Sequence, residues 1–314
     1  MPFQDWQPSC NRAALVARSV LYRDIRAFFH DRQVLEVDTP ILGCAPVNDP
    51  NIEPMATRES RWLHTSPEYA MKRLLCADSG DIWQLCKVFR AGEAGRRHNP
   101  EFTMLEWYRL GFSLSELMSE VAQLVSTVFA QRWPSLPVVH LTYAEALQNY
   151  ANLDLATASD NDIQVLGCGL AGGNLELSRD GWLDIIMSHA VEPALPANTL
   201  VFVRDFPASQ AALAQIAISP NGQAVAQRFE LFFNGTELAN GYFELTDADQ
   251  QRQRFQQASA LARESRPLDE RVLAALEHGL PSCAGVALGV DRLLMHQLGV
   301  NAISEVLSFD WSRA

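Results

Sequence analysis

The sequence predicts an α+β fold, a mainly antiparallel sheet flanked by helices. Strand-like alternation comes in neighbouring pairs, at 82–90 with 102–109 and at 228–233 with 240–245. Helical periodicity fills the stretches between them, and no Pro/Ser/Gly-rich linker divides the 314 residues. One domain over 1–314 is therefore expected. A chain of this length buries roughly three quarters of its unfolded surface and needs no disulfide or metal to fold.

Each element has its own signal. Residues 12–32 read as a helix, with Ala17, Val20, Leu21, Ile25, Phe28 and Phe29 at helical spacing. Residues 34–37 form a short strand closed by Asp38-Thr39-Pro40. A second helix begins near Thr65-Ser66-Pro67-Glu68 and runs to Leu75, with Thr65 and Glu68 spaced as a capping box. Strands 82–90 and 102–109 enclose a polar loop holding Arg96, Arg97, His98 and Asn99. Loops of that length are uncommon without a function. Further on, helices are expected at 114–131, 143–150 and 181–191, a loop at Gly167–Gly173 and a strand at 201–203. Helices at 246–264 and 268–278 precede a glycine-flanked strand, 285–289, and a helix at 291–298.

Lys and Arg number 25 against 37 Asp and Glu, a net charge of −12, which argues against a general polyanion binder. The six cysteines contain no CxxC pair, so reduced thiols and a cytoplasmic setting are expected. The N-terminus shows no signal-peptide pattern, and no apolar run is long enough to span a membrane.

Period two sorts the strand residues by face. Phe102, Met104, Glu106 and Tyr108 share one face and Thr103, Leu105 and Trp107 the other; the first fits a pocket wall and the second a core. Arg228, Glu230 and Phe232 share a face, as do Asn240, Tyr242 and Glu244. A sheet with one solvated face gives the same alternation. Arginine forks suit phosphate oxygens, so Arg90, Arg96 and Arg97 make the hairpin loop a phosphate-site candidate, although a charged loop tip is also a solvated one. Glu230 and Glu237 are candidate Mg²⁺ acids, because that ion takes few carboxylates beside phosphate oxygens; taken alone, each reads rather as a surface acid.

In order, these segments resemble the three signature motifs of class II aminoacyl-tRNA synthetases, most nearly the lysyl-tRNA synthetase catalytic core. Motif 1 resembles residues 12–42. Motif 2 resembles 88–108, with Arg97-His98-Asn99-Pro100-Glu101-Phe102-Thr103 as its specific part. Motif 3 resembles 284–298, centred on Gly289-Val290-Asp291-Arg292. The resemblance implies ATP and Mg²⁺ as cofactors. It implies that Arg90 grips the α-phosphate, that Arg97 and Arg292 meet the outer phosphates, and that Phe102 stacks on adenine. Ala91, Gly92, His98, Asn99, Glu237, Leu238 and Gly289 would lie beside the nucleotide, and Glu230 and Glu237 would hold the metal. Arg90 and Arg292 are the implied catalytic residues. Ser66, Pro67, Glu68, Glu106, Tyr108, Asn240, Glu244 and Ala287 would form the amino-acid pocket. Glu68, Glu106 and Glu244 then place three carboxylates around a ligand that carries two ammonium groups, while Glu68 also suits a helix cap.

Three departures refine this. The motif 1 helix starts near residue 12, which leaves no room before it for an anticodon-binding domain and argues against tRNA as acceptor. Motif 3 reads Gly285-Val286-Ala287-Leu288-Gly289, with Ala287 where the family carries its middle glycine. Gly92 stands where the lysyl enzymes carry a glutamate. An extra methyl in a packed pocket costs roughly 1–3 kcal/mol for the original ligand. Together these features resemble the lysyl-tRNA synthetase paralogs that attach (R)-β-lysine to a lysine of elongation factor P. The resemblance also implies a homodimer formed through motif 1. A truncated enzyme that charges an RNA, and a non-catalytic amino-acid sensor, are the alternatives.

Overall fold

A computed structural model describes residues 6–49, 52–173, 175–261 and 266–314. The single domain expected over 1–314 is described as two compact units, residues up to 132 with 244–314, and residues 133–243.

In the first unit, α1 (Arg12–His30) is capped by Asn11, whose side chain accepts the Ala14 N–H at 3.0 Å. Its buried stripe is Leu21, Ile25, Phe28 and Phe29. The short strands β1 (Leu35–Glu36), β2 (Leu42–Gly43), β3 (Met55–Ala56) and β4 (Trp62–Leu63) follow, the last three forming a small sheet of order β2-β4-β3. Then come α2 (Glu68–Leu75), β5 (Ile82–Phe89), β6 (Glu101–Leu110) and α3 (Leu114–Phe129). Ser113 and Glu116 form a capping box on α3.

The second unit begins with β7 (Val138–Thr142), α4 (Tyr143–Ala151), α5 (Asp160–Ala171) and α6 (Arg179–Ile186). A π-helical turn over Met187–Val191 leads to α7 (Glu192–Ala194). Strands β8 (Leu200–Pro207), β9 (Ile216–Ile218), β10 (Ala224–Phe233) and β11 (Thr236–Phe243) complete it. The chain returns to the first unit with α8 (Ala248–Leu261), α9 (Glu270–Gly279), β12 (Cys283–Gly289) and α10 (Val290–Leu298). The helix expected over 246–264 is described as far as 261; its last residues lie outside the described ones.

Strand order is β1-β5-β6-β12 in the first unit and β11-β10-β8-β7 in the second, with β9 on β10. The pairs β5–β6, β6–β12, β10–β11, β8–β10 and β9–β10 are antiparallel, whereas β1–β5 and β7–β8 are parallel. The first unit packs Phe29 flat on Trp83, ring centroids 4.8 Å apart, and edge-on to Trp107. The core of the second is built from Tyr143, Trp182, Ile186, Phe206 and Phe232. No described helix is long and apolar enough to cross a membrane.

Two local readings are corrected. The loop expected at Gly167–Gly173 is the end of α5, which runs through Gly167 and Gly169 before Gly172 closes it at φ +71°. Gly167 is there for contact rather than for flexibility, since a Cβ would lie 2.5 Å from the Trp182 ring. The Thr65–Glu68 capping box does not form. Thr65 Oγ1 is buried without a partner, Pro67 is the N-cap, and Ser66 Oγ takes the Glu68 N–H at 3.0 Å.

Candidate active site

Strand register builds the acidic cluster of the first unit. Glu106 on β6 lies opposite Gln84 on β5 and Ala287 on β12, and Tyr108 lies opposite Gly285. Directly opposed residues project to one face, so the 285-287-289 row of β12 lines the same face as Tyr108, Glu106 and Met104. Alternation placed Glu106 and Tyr108 on a pocket-facing side, and they are buried, not solvated. Tyr108 Oη donates to Glu106 Oε1 at 2.7 Å and Ser66 Oγ to Glu106 Oε2 at 2.8 Å. Gly285 makes this packing possible, since a Cβ there would sit 2.4 Å from the Tyr108 ring and 2.6 Å from Glu244 Oε1.

Sequence reasoning missed Lys72. Its ammonium is buried in α2, 2.7 Å from Glu68 Oε1 and 2.7 Å from Glu244 Oε2. To the three carboxylates expected around the two ammonium groups of the ligand, the structure thus adds a cation of its own. The Glu68-to-Lys72 spacing of four residues on a helix was the available signal. Burial, together with the Glu68 and Glu244 charges, pushes the Glu106 carboxyl up to about 8. Burial pushes Glu244 up to about 7, against the pull of Lys72. Tyr108 is driven upward by burial and by the Glu106 charge.

The hairpin loop is fixed at both ends. Arg90 N–H donates to Pro100 O at 2.8 Å and Ala91 N–H to Glu53 O at 2.8 Å. The Arg90 guanidinium lies over Phe102, 5.0 Å from the ring centroid, and 3.9 Å from Glu93, with its buried Nε unpartnered. Gly92 has φ +77°, a backbone that disfavours the family's glutamate. His98 Nε2 and the Arg292 guanidinium lie 2.7 Å apart. Burial and the charges of Arg97, Arg132 and Arg292 pull His296 down to about 4, the mark of a cationic neighbourhood. Asn99 is turned inward: its amide donates to Glu101 O at 2.6 Å and its oxygen accepts Trp311 N–H at 2.9 Å. Gly289 is the N-cap of α10, and Arg292 lies in its first turn. The neighbouring Asp291 accepts from Arg18 at 2.5 Å and from Thr103 N–H at 2.7 Å, which locks α10 to α1 and β6.

In the second unit Glu230 lies opposite Asn240, and Glu237 opposite Phe232 beyond a register shift in β10. Arg228 donates to Glu230 Oε1 at 2.5 Å and to Asn240 Oδ1 at 3.2 Å, and it lies over the Phe206 ring. Asn240 Nδ2 donates to Tyr242 Oη at 3.1 Å. Burial pushes Glu230 up to about 7; the Arg228 charge opposes that shift and Glu237 adds to it. Leu238 is buried. Among the described residues no three His, Cys, Asp or Glu side chains gather as a metal cluster. The pair Glu230 and Glu237 therefore fits an ion that draws its remaining ligands from phosphate oxygens, and the orphaned donor of Arg90 fits a phosphate.

The family described as tRNA synthetases class II (D, K and N) matches residues 3–312. The chain is 45% identical to a protein of Proteus mirabilis (strain HI4320) named elongation factor P–(R)-β-lysine ligase, over 99% of this chain and 98% of that one. Proteins of the same name from Klebsiella pneumoniae (strain 342) and Pseudoalteromonas translucida (strain TAC 125) are 43% and 44% identical, over 98% of this chain and 98% of each relative. Matched over nearly its whole length by the family and by these proteins, the chain belongs to the class II tRNA synthetase family and, within it, to the elongation factor P–(R)-β-lysine ligases.

Proposed function

We propose that the chain activates (R)-β-lysine with ATP and transfers it to a lysine side chain of elongation factor P. The near-full-length match to relatives bearing that activity in their name carries this reading. In the first half-reaction a carboxylate oxygen of the amino acid attacks the α-phosphorus of ATP, giving an aminoacyl-adenylate and releasing pyrophosphate. In the second, the neutral ε-amine of the acceptor lysine attacks the adenylate carbonyl, loses a proton and expels AMP. No side-chain nucleophile is required; positioning and charge stabilisation suffice.

The residues divide this work. Arg90 and Arg292 are assigned to phosphate charge, and its orphaned donor leaves Arg90 ready for that role. Arg97 and His98 flank the outer phosphates, Phe102 offers a face to adenine, and Ala91, Gly92, Leu238 and Gly289 border the nucleoside through backbone. Asn99, with both ends of its amide engaged, shapes the loop. Glu230 and Glu237 are assigned to Mg²⁺, which supplies charge neutralisation on the phosphates when bound. Ser66, Pro67, Glu68, Glu106, Tyr108, Asn240, Glu244 and Ala287 are assigned to the amino acid. The Ala287 methyl, paired with Glu106 across β6–β12, shortens the space for an α-amino group and favours one displaced by a carbon.

A homodimer is supported by the apolar residues exposed on and after α1, Leu15, Val16, Leu35, Ile41 and Leu42. A cytoplasmic setting fits the substrates and the six unpaired cysteines. The test is ATP–pyrophosphate exchange with α-lysine and (R)-β-lysine side by side, repeated with Ala287→Gly. Faster exchange with β-lysine, moving toward α-lysine in the variant, is expected. A clear α-lysine preference in the wild type would revive the RNA-charging reading, and no exchange with either would favour a sensor.

A further inference from the structure

The Glu68–Lys72–Glu244 arrangement differs from a surface ion pair in three respects. All three side chains are buried, with side-chain exposures of 10%, 2% and 1%. The ammonium is equidistant from two carboxylates, at 2.7 Å each. The third carboxylate, Glu106, is held by Ser66 and Tyr108, two neutral hydroxyls that add no positive charge. When ionised, the four groups sum to a charge of −2, the number of ammonium groups on a diamino acid. Without Lys72 the sum is −3, one more negative charge than the two ammonium groups of the substrate match.

We propose that Lys72 is a positioning residue of the amino-acid pocket: a resident ammonium that bridges Glu68 and Glu244, holds both in place beside the substrate, and sets the charge of the pocket. This rests on the β-lysine reading above and deepens it. Lys72 touches neither ATP nor the reacting carboxylate in this scheme; it acts through the two glutamates. A cation buried between two anions is retained at a cost in desolvation, and removing it leaves like charges facing each other.

Two variants and one added ligand test this. Lys72→Ala should lower kcat/KM for β-lysine in ATP–pyrophosphate exchange about 100-fold. Ethylammonium, small enough to replace the missing side-chain end, should restore at least about tenfold of that in a saturable way, where equal sodium chloride does not. It should also raise the unfolding temperature of Lys72→Ala but not of the wild type, a readout independent of substrate. The double variant Glu68→Gln/Lys72→Met removes one negative and one positive charge together, and it should outperform Lys72→Met by about tenfold or more. Wild-type kcat/KM in Lys72→Met would overturn the proposal by showing that only packing matters. So would a folded Lys72→Ala that ethylammonium neither stabilises nor rescues, or a double variant no better than Lys72→Met. Failure of the wild type to use β-lysine would instead sink the functional reading, and the thermal arm would still decide the role of Lys72.

Discussion

Glu106→Gln should make the protein more stable at alkaline pH while impairing it as an enzyme. The Glu106 carboxyl titrates near its ordinary value of 4.5 in the unfolded chain and is pushed up to about 8 in the folded one, by burial first and by the Glu68 charge second. Between those two values the folded state binds the extra proton, so wild-type stability falls as pH rises from about 5 through 8 and levels off above. At roughly 1.4 kcal/mol per pH unit the full displacement corresponds to about 5 kcal/mol. Part of it is repulsion from Glu68 and from Glu244, whose own carboxyl is pushed up to about 7, so not all of the displacement belongs to Glu106. A gain of about 2–3 kcal/mol for the glutamine variant at pH 9 is therefore expected, against little difference at pH 5. Glutamine keeps an oxygen for Ser66 and fills the same volume, so no cavity opposes the gain. Thermal unfolding of both proteins at pH 5, 7 and 9 reads the effect, about 5 °C at the alkaline end. In exchange assays the variant should show a raised KM for β-lysine, because the substrate ammonium has lost its carboxylate. A stability difference flat across the range, or one favouring the wild type at pH 9, would refute the assignment of Glu106 as the strained carboxylate.

Other residues make sharper structural tests. Gly285→Ala drives a methyl into Tyr108 and Glu244 and should cost about 1–3 kcal/mol in denaturant unfolding while raising KM for the amino acid. Asp291→Asn removes the negative charge paired with the half-buried Arg18, which keeps its bond to Val306 O, and weakens the link from α10 to β6; a loss of about 3 kcal/mol is expected by the same measurement. Arg90→Met should leave the unfolding temperature nearly unchanged, because its ion pair with Glu93 spans 3.9 Å, and should lower kcat for pyrophosphate exchange about 100–1000-fold.

What the sequence revealed depended on the kind of signal. The hairpin β5–β6 and the β12–α10 junction were legible because alternation, glycine and the arginine-rich loop all pointed the same way. The acid and phenol face of β6 was legible for the same reason. Alternation also suggested that only one face of β6 would be core, yet both are buried: Trp107 donates to Glu120 of α3 on one side, and Glu106 is closed over by Ser66 on the other. Of the two-residue strands, β1 falls in the short strand expected at 34–37, whereas β2 to β4 are too short to carry a period. The parallel pairs β1–β5 and β7–β8 join segments far apart in sequence, and no local pattern encodes such a partner. Gly167 read as a loop because its role, contact with Trp182, exists only in three dimensions. Lys72 went unread, since nothing in Glu68-Tyr69-Ala70-Met71-Lys72 says that Glu244 will arrive on its other side.

Lys72 matters for more than the count of charges. Well-packed apolar residues in place of Glu68, Lys72, Glu106 and Glu244 would give a core at least as stable, since desolvating each charge costs several kcal/mol before pairing returns part of it. Their presence among Met71, Leu75 and Cys283, all buried, is on the proposed reading stability surrendered to the amino-acid substrate. The ligand that returns it must bring positive charge, because Glu106 alone of the three acids lacks a cation within hydrogen-bond distance. Binding then stabilises the fold by mass action, and more strongly at pH 9 than at pH 6, because at the lower pH the incoming ammonium must first displace the Glu106 proton. A monoamine of the same length brings only one charge to a pocket that is −2 when its acids are ionised, and at pH 9 it should stabilise the protein less than β-lysine does.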